Sequence, residues 1–149
     1  MVDHAALGRS GPEFEMVVEL GKIREFARAT FSHHVQYLRS AEPVCEPTFL
    51  TTMIFWQGDE ASPWSAVAMN QERGLHAEQE FIFYGPPPEA GTRLRAKSTI
   101  TDICEKHGKR GGTLTFVVMT TDFWSIDGTL VAQSILTGVE TARPPEGGA

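Results

Sequence analysis

Residues 75–124 decide the fold. They read LHAEQEFIFY, then GPPPEAG, TRLRAKSTITDICEK, HGKRGG and TLTFVVMTTDFW. In the first run Leu75, Ala77, Gln79, Phe81 and Phe83 fall on one face, and His76, Glu78, Glu80, Ile82 and Tyr84 on the other, the period of two expected of a β-strand. The Pro- and Gly-rich turn then ends that strand. The third run is long and alternating, the last follows it across a Gly-rich turn, and Asp127-Gly128 leads into TLVAQSILTGVET. Long strands joined by turns predict an antiparallel meander.

Upstream, residues 13–19 also alternate, with Phe14, Met16 and Val18 on one face, and predict a short first strand. The period turns helical over residues 21–31, where Leu20, Ile23, Phe26, Ala27 and Thr30 form a stripe facing a core. A loop over residues 32–47 ends at Pro47, just before Thr48, a good helix N-cap. The run TFLTTMIFW that begins there is apolar nearly all round, so a buried helix is expected over residues 48–56. Residues 57–74 show no clear period and read as loop with a helical turn. The order of one strand, two helices and four long strands is α+β, with the antiparallel sheet wrapped around the buried helix. Residues 13–141 make the domain, and residues 1–12 and 142–149 are expected to fray.

The 149 residues, 41% hydrophobic and 21% charged, suit one globular core without a disulfide or structural metal. A net charge of -6 argues against nucleic acid as a partner, since that binding relies on clustered Lys and Arg. The basic run KHGKR falls in an expected turn and reads as a solvated loop. No apolar run approaches the roughly 20 residues needed to cross a bilayer, and MVDHAALGRSGPEFE has no signal-like apolar block. A cytoplasmic protein with no membrane association is the expectation. Cys45 and Cys104 are isolated and read as free thiols.

FARAT at residues 26–30, the Glu46-Pro47-Thr48-Phe49 run and the stretch LHAEQEFIFYGPPPEAGTRLRAKSTITDICEKHGKRGG carry a more specific likeness. Together they resemble the N-terminal-half domain of MaoC-like dehydratases, which includes bacterial 3-hydroxyacyl dehydratase subunits, over residues 13–141. The resemblance implies a hot-dog fold. Active members hydrate enoyl thioesters, or dehydrate 3-hydroxyacyl thioesters, with an Asp and a His in the loop after the first helix. Laid on this sequence, that loop puts Ser32 at the Asp position and Tyr37 at the His position. Serine is no base unless something deprotonates it, and tyrosine titrates near a pKa of about 10.

The resemblance therefore implies the half lacking the dyad, holding the acyl chain of an acyl-CoA or acyl-carrier-protein thioester with no cofactor. Its partner would be a second hot-dog subunit carrying the acid and base. Pro47, Thr48 and Phe49 would present the helix start to the thioester, and Tyr37 and His76 would border the groove. His33 and His34 stay open as catalytic candidates, because imidazole titrates near neutrality and both lie in the chemically expected loop. With either as base, the chain would be a self-sufficient homodimeric hydratase or a thioesterase; a non-catalytic acyl-binding scaffold is the third reading. Two adjacent histidines form no chelating face, so no metal is expected. Phe49, Phe55, Trp56 and Trp64 read as core or interface, or as the lining of an apolar tunnel.

Overall fold

The structure is a computed structural model that describes residues 1–58, 61–109 and 111–143. Inward alternation builds the sheet first. In β3 (Arg93–His107) Leu94, Ala96, Ser98 and Ile100 are buried, and in β4 (Thr113–Ser125) Val117, Met119, Thr121 and Phe123 are. A bulge between Ile100 and Asp102 shifts the phase of β3 by one residue, so Ile103 still packs inward. β5 (Leu130–Glu140) follows through the Asp127-Gly128 turn, where Asp127 accepts hydrogen bonds from the Ser125 hydroxyl and the Thr129 N–H. Those bonds, the serine's first, hold the Asp127 carboxyl below its ordinary pKa.

With β1 (Phe14–Val17) and β2 (Gly74–Phe83), these strands form one antiparallel sheet in the order β1-β3-β4-β5-β2. β3, β4 and β5 are the expected meander, but β2 joins its far side against β5 rather than pairing with its sequence neighbour. Alternation within a strand selects its faces and leaves its partner open.

β2 also departs from its expected faces. A bulge between His76 and Glu78 inserts Ala77, which turns His76 onto the face that carries Gln79, Phe81 and Phe83. Leu75 is left half exposed.

The helices cover the concave face. α1 (Leu20–Ala29) buries Ile23 and Ala27 as its stripe demands. It ends in a Schellman turn, with Phe31 N–H donating to Arg28 O and Ser32 N–H to Ala27 O at 2.8 Å. Phe31 occupies the left-handed position of that turn at φ 57°, where glycine is preferred, and its side chain is 83% exposed. The loop beyond contains a short helix that its sequence did not announce, α2 (Val35–Arg39).

The expected central helix is present as a 3₁₀ helix, Phe49–Phe55, and only one side of it is buried. Phe49, Leu50 and Met53 pack with Leu94, Ala96, Phe123 and Ala132, and the Phe26 ring meets Phe49 edge to face at 5.7 Å. Ile54 and Phe55 face outward, 61% and 69% exposed. With three residues per turn, successive turns eclipse, so a run that is apolar all round cannot place every side chain against one sheet.

The N-terminal residues, expected to fray, lie hydrogen-bonded along the sheet. β1 pairs only with residues 93–96 of the fifteen-residue β3, leaving the backbone beyond them without a strand neighbour. Residues 8–11 cover that edge: Gly8 N–H donates to Ile100 O, Ile100 N–H to Arg9 O, and Gly11 N–H to Ser98 O. Val2 and Ala6 are buried against Val67, Ile100 and Val117. Of the tail expected to fray, residues 144–149 lie outside the described residues. No described helix is long and apolar enough to cross a membrane.

Removing the Phe49 ring should lower the unfolding free energy by about 3–5 kcal/mol, the usual cost of a buried Phe→Ala cavity. Ile54→Ala, on the outward side of the same helix, should change it by less than about 0.5 kcal/mol. Urea titration of the two variants measures both; equal losses would contradict the half-buried helix.

Candidate functional site

The wall between the 3₁₀ helix and the sheet is incomplete. A cavity of about 400 Å³ opens there, with Met53 and Ile54 of the helix on one side and Met119 and Leu136 of the sheet on the other. Trp64, Gln57, His76, Gln79 and Ser134 complete much of its lining. A second hollow of about 230 Å³ continues past Trp64, His76 and Leu136 to Met69 and Gly138.

Residues 57–58 and 61–74, from a stretch unreadable in sequence, contribute the far wall of this groove. A 3₁₀ helix, Pro63–Val67, is capped by Ser62, whose hydroxyl accepts from Trp64 N–H at 3.3 Å. It sets the Trp64 indole on β5 at Gly138, where an added Cβ would come within 2.7 Å of the ring. Buried Glu140 then ties the segment down, accepting from Asn70 N–H at 2.8 Å and from Arg73 Nη2 at 2.6 Å. Breaking this ion pair from one side would leave a buried charge uncompensated.

Of the expected site residues, His76 lines the groove, with Nε2 3.1 Å from Glu78 O. The loop residues lie elsewhere. Ser32 and His33 border a separate surface hollow with Arg28, Phe31, Leu38 and Arg39. His34 is exposed and its Nδ1 accepts the Gln36 N–H at 3.3 Å, capping α2. The Tyr37 ring stands 5.3 Å from the His34 ring and packs half-buried on the core. Pro47 and Thr48 are exposed, and the Thr48 side chain makes no capping bond; Phe49 is core. The cap expected of Thr48 is replaced by a turn in which Phe49 N–H donates to Glu46 O.

Two buried groups at the loop's end escaped the sequence reading. Glu46 is only 6% exposed; its Oε2 accepts from Thr30 Oγ1 at 3.1 Å, while Oε1 has no partner among the described residues. That bond pins the loop's end to the C-terminus of α1. Its neighbour Cys45 is buried as well, which pushes the thiol from 9.0 up to about 12. Both cysteines are free, as expected. No group of three or more His, Cys, Asp or Glu able to hold a metal occurs among the described residues.

A family model described as "FAS1-like, dehydratase domain region" matches residues 5–134. No curated protein matches the sequence. Among solved structures, one chain of the C-terminally truncated HadBC (3R-hydroxyacyl-ACP dehydratase) complex from Mycobacterium tuberculosis is similar at 24% identity and TM-score 0.69. The match covers 90% of this chain and 96% of that one. A protein named MaoC-like dehydratase gives 22% identity and TM-score 0.73, with 91% of this chain covered; the match spans 42% of that longer chain. The ChsH1-ChsH2 complex from Mycobacterium tuberculosis gives 12% identity and TM-score 0.69, covering 96% and 88%. These likenesses bear on the fold, which is the expected α+β hot-dog.

The neutral Cys45 thiol should be inert: at mildly alkaline pH a thiol reagent should label Cys104 promptly and Cys45 only as the chain unfolds. Because the folded pKa of Cys45 lies above its unfolded value, the thiol's stabilisation is complete below pH 9 and is lost as pH rises toward about 12. Cys45→Ala should flatten that alkaline limb in thermal melts; an unchanged limb would show that another group causes it.

Proposed function

From the chain's membership of the FAS1-like dehydratase-region family, shown by the match over residues 5–134, we propose that it is one subunit of an (R)-specific enoyl-thioester hydratase or 3-hydroxyacyl-thioester dehydratase. It is the half that holds the acyl chain, and a second hot-dog subunit supplies the acid and base. The observation that carries this reading is the separation of groove and loop. Among the described residues, the apolar groove receives none of Ser32, His33, His34 or Tyr37, and its lining sets no carboxylate beside the imidazole of His76.

The chemistry explains why such a groove needs a companion. Adding water across an enoyl thioester takes a base on the water, an acid for the α-carbon and donors for the developing oxyanion. A lone histidine at the mouth cannot supply two proton carriers held at once in opposite states. What the groove does offer is Met53, Ile54, Met119, Leu136 and the Trp64 indole along one concave surface, which suits an apolar tail.

Two surfaces suit the companion. β2 closes the sheet at one end and leaves its outer backbone edge open, and exposed Ile54 and Phe55 present an apolar patch on the helix above the groove. HadBC and ChsH1-ChsH2 are themselves two-component complexes by name, which supports a heteromeric unit here.

The test is hydration of a short and a long enoyl-CoA by the chain alone and by the chain with the hot-dog protein that co-purifies with it. Turnover is expected only with the partner, and His33→Ala and His34→Ala should leave that turnover within about threefold, the His34 change costing chiefly about 1 kcal/mol of helix capping. Turnover by the chain alone, abolished by His34→Ala, would instead make it a self-sufficient hydratase. Binding of the thioesters without turnover in either setting would leave a scaffold.

A further inference from the structure

Inside the groove the apolar alternation is broken along one line. Ser98, Thr121 and Ser134 stand opposite one another on β3, β4 and β5, each pointing inward and each buried. On either side the same positions are apolar: Ala96, Phe123 and Ala132 belong to one core cluster, Ile100 and Met119 to the other. A hydroxyl belt thus divides the two clusters, at positions where Ala or Val would pack without needing partners. Burying a hydroxyl without a compensating bond costs about 1–3 kcal/mol.

The belt is only partly satisfied by the protein. Ser98 and Thr121 bond each other at 2.8 Å, and Gln79 Nε2 donates to Ser134 Oγ at 2.9 Å. The same nitrogen lies 3.1 Å from Ile135 O and 3.4 Å from Glu80 O. Because carbonyls only accept, this end of the Gln79 amide is assigned as nitrogen, its two N–H groups shared among the three acceptors. Ser134 therefore accepts, and its own proton finds no acceptor among the described residues; the Gln79 amide oxygen likewise finds no donor. Ser134 and Gln79 both line the groove, with Thr121 behind them.

We propose that this donor and acceptor form an oxygen-recognising subsite, so that the groove takes acyl chains bearing a hydroxyl or keto group at an interior carbon in preference to plain hydrocarbon chains. The inference rests on the groove being the acyl-chain site. A hydroxyl-bearing chain would accept from Ser134 Oγ and donate to Gln79 Oε1; a keto-bearing chain would accept from Ser134 alone. A plain chain leaves both groups unpaired once it excludes water from them.

The test is titration calorimetry on the full chain with a medium-chain saturated acyl-pantetheine and the same chain carrying a hydroxyl or keto group at successive interior carbons. One oxygenated position should bind about five- to tenfold more tightly than the plain chain, the return of one or two buried hydrogen bonds. Ser134→Ala, a deletion of one atom, and Gln79→Met should each remove most of that preference, chiefly by raising the plain chain's affinity, because a polar group it would leave unpaired is gone. Equal binding of plain and oxygenated chains by the wild type, or a preference that survives both substitutions, would overturn the subsite and leave the acyl-groove reading standing. Binding of neither class would overturn both.

Discussion

Phe49, Leu50 and Met53 must all reach the concave face of one sheet from a helix of seven residues, and the shape of the site follows from how they do it. At three residues per turn, Phe49 and Thr52 form one buried row and Leu50 and Met53 a second, and the third row faces outward. The two rows seal the half of the sheet around Leu94, Ala96, Phe123 and Ala132, and stop there. Beyond Met53 nothing from the helix fills the space over Met119 and Leu136, and that shortfall is the cavity. The outward Ile54 and Phe55 are the other result of the same geometry.

A second consequence concerns where chemistry can happen. The Schellman turn at Phe31 directs the chain away from the groove, and Glu46 with Thr30 pins the far end of the loop back against α1. The histidines between these anchors face solvent, one of them committed to holding α2. Among the described residues, the loop histidines and the apolar cavity are thus kept apart, and the proposed division of tasks between two subunits rests on that separation.

Much of the sheet was legible because β3 alternates along its first half and Gly- and Pro-rich turns bracket the long runs. In β4, by contrast, Phe116 to Met119 are apolar in succession and Thr120 and Thr121 are identical, so length and turns mark that strand. The four long strands and the Asp127-Gly128 turn could be read for these reasons, as could the apolar stripe of α1. What could not be read depended on partners distant in sequence. The placement of β2 beside β5 and the strand-like path of residues 8–11 are decided by which backbone edges remain open. The insertion of Ala77 leaves no local mark, yet it carries His76 from one face to the other. In a nine-residue apolar run, periods of 3.0 and 3.6 cannot be told apart, so the central helix was expected to be buried on all sides. The hydroxyl belt was visible as residues and invisible as a belt, because Ser98, Thr121 and Ser134 align only once the strand registers are known. Glu46 belongs to the run that carries the family likeness, yet nothing local announced its burial, since a glutamate beside a proline reads as surface.

The contact between Trp64 and Gly138 gives the groove a feature that side chains alone would not. The indole rests against bare backbone, so the ring shared by the two hollows lies as close to β5 as the sheet allows. Lengthening the residue at position 138 by one carbon would push the ring off the strand and crowd the Met69 methyl, 3.4 Å from the added carbon, and both side chains pack on the second core cluster. Under the proposed acyl-chain reading, position 138 therefore couples the width of the passage between the two hollows to the packing of that cluster.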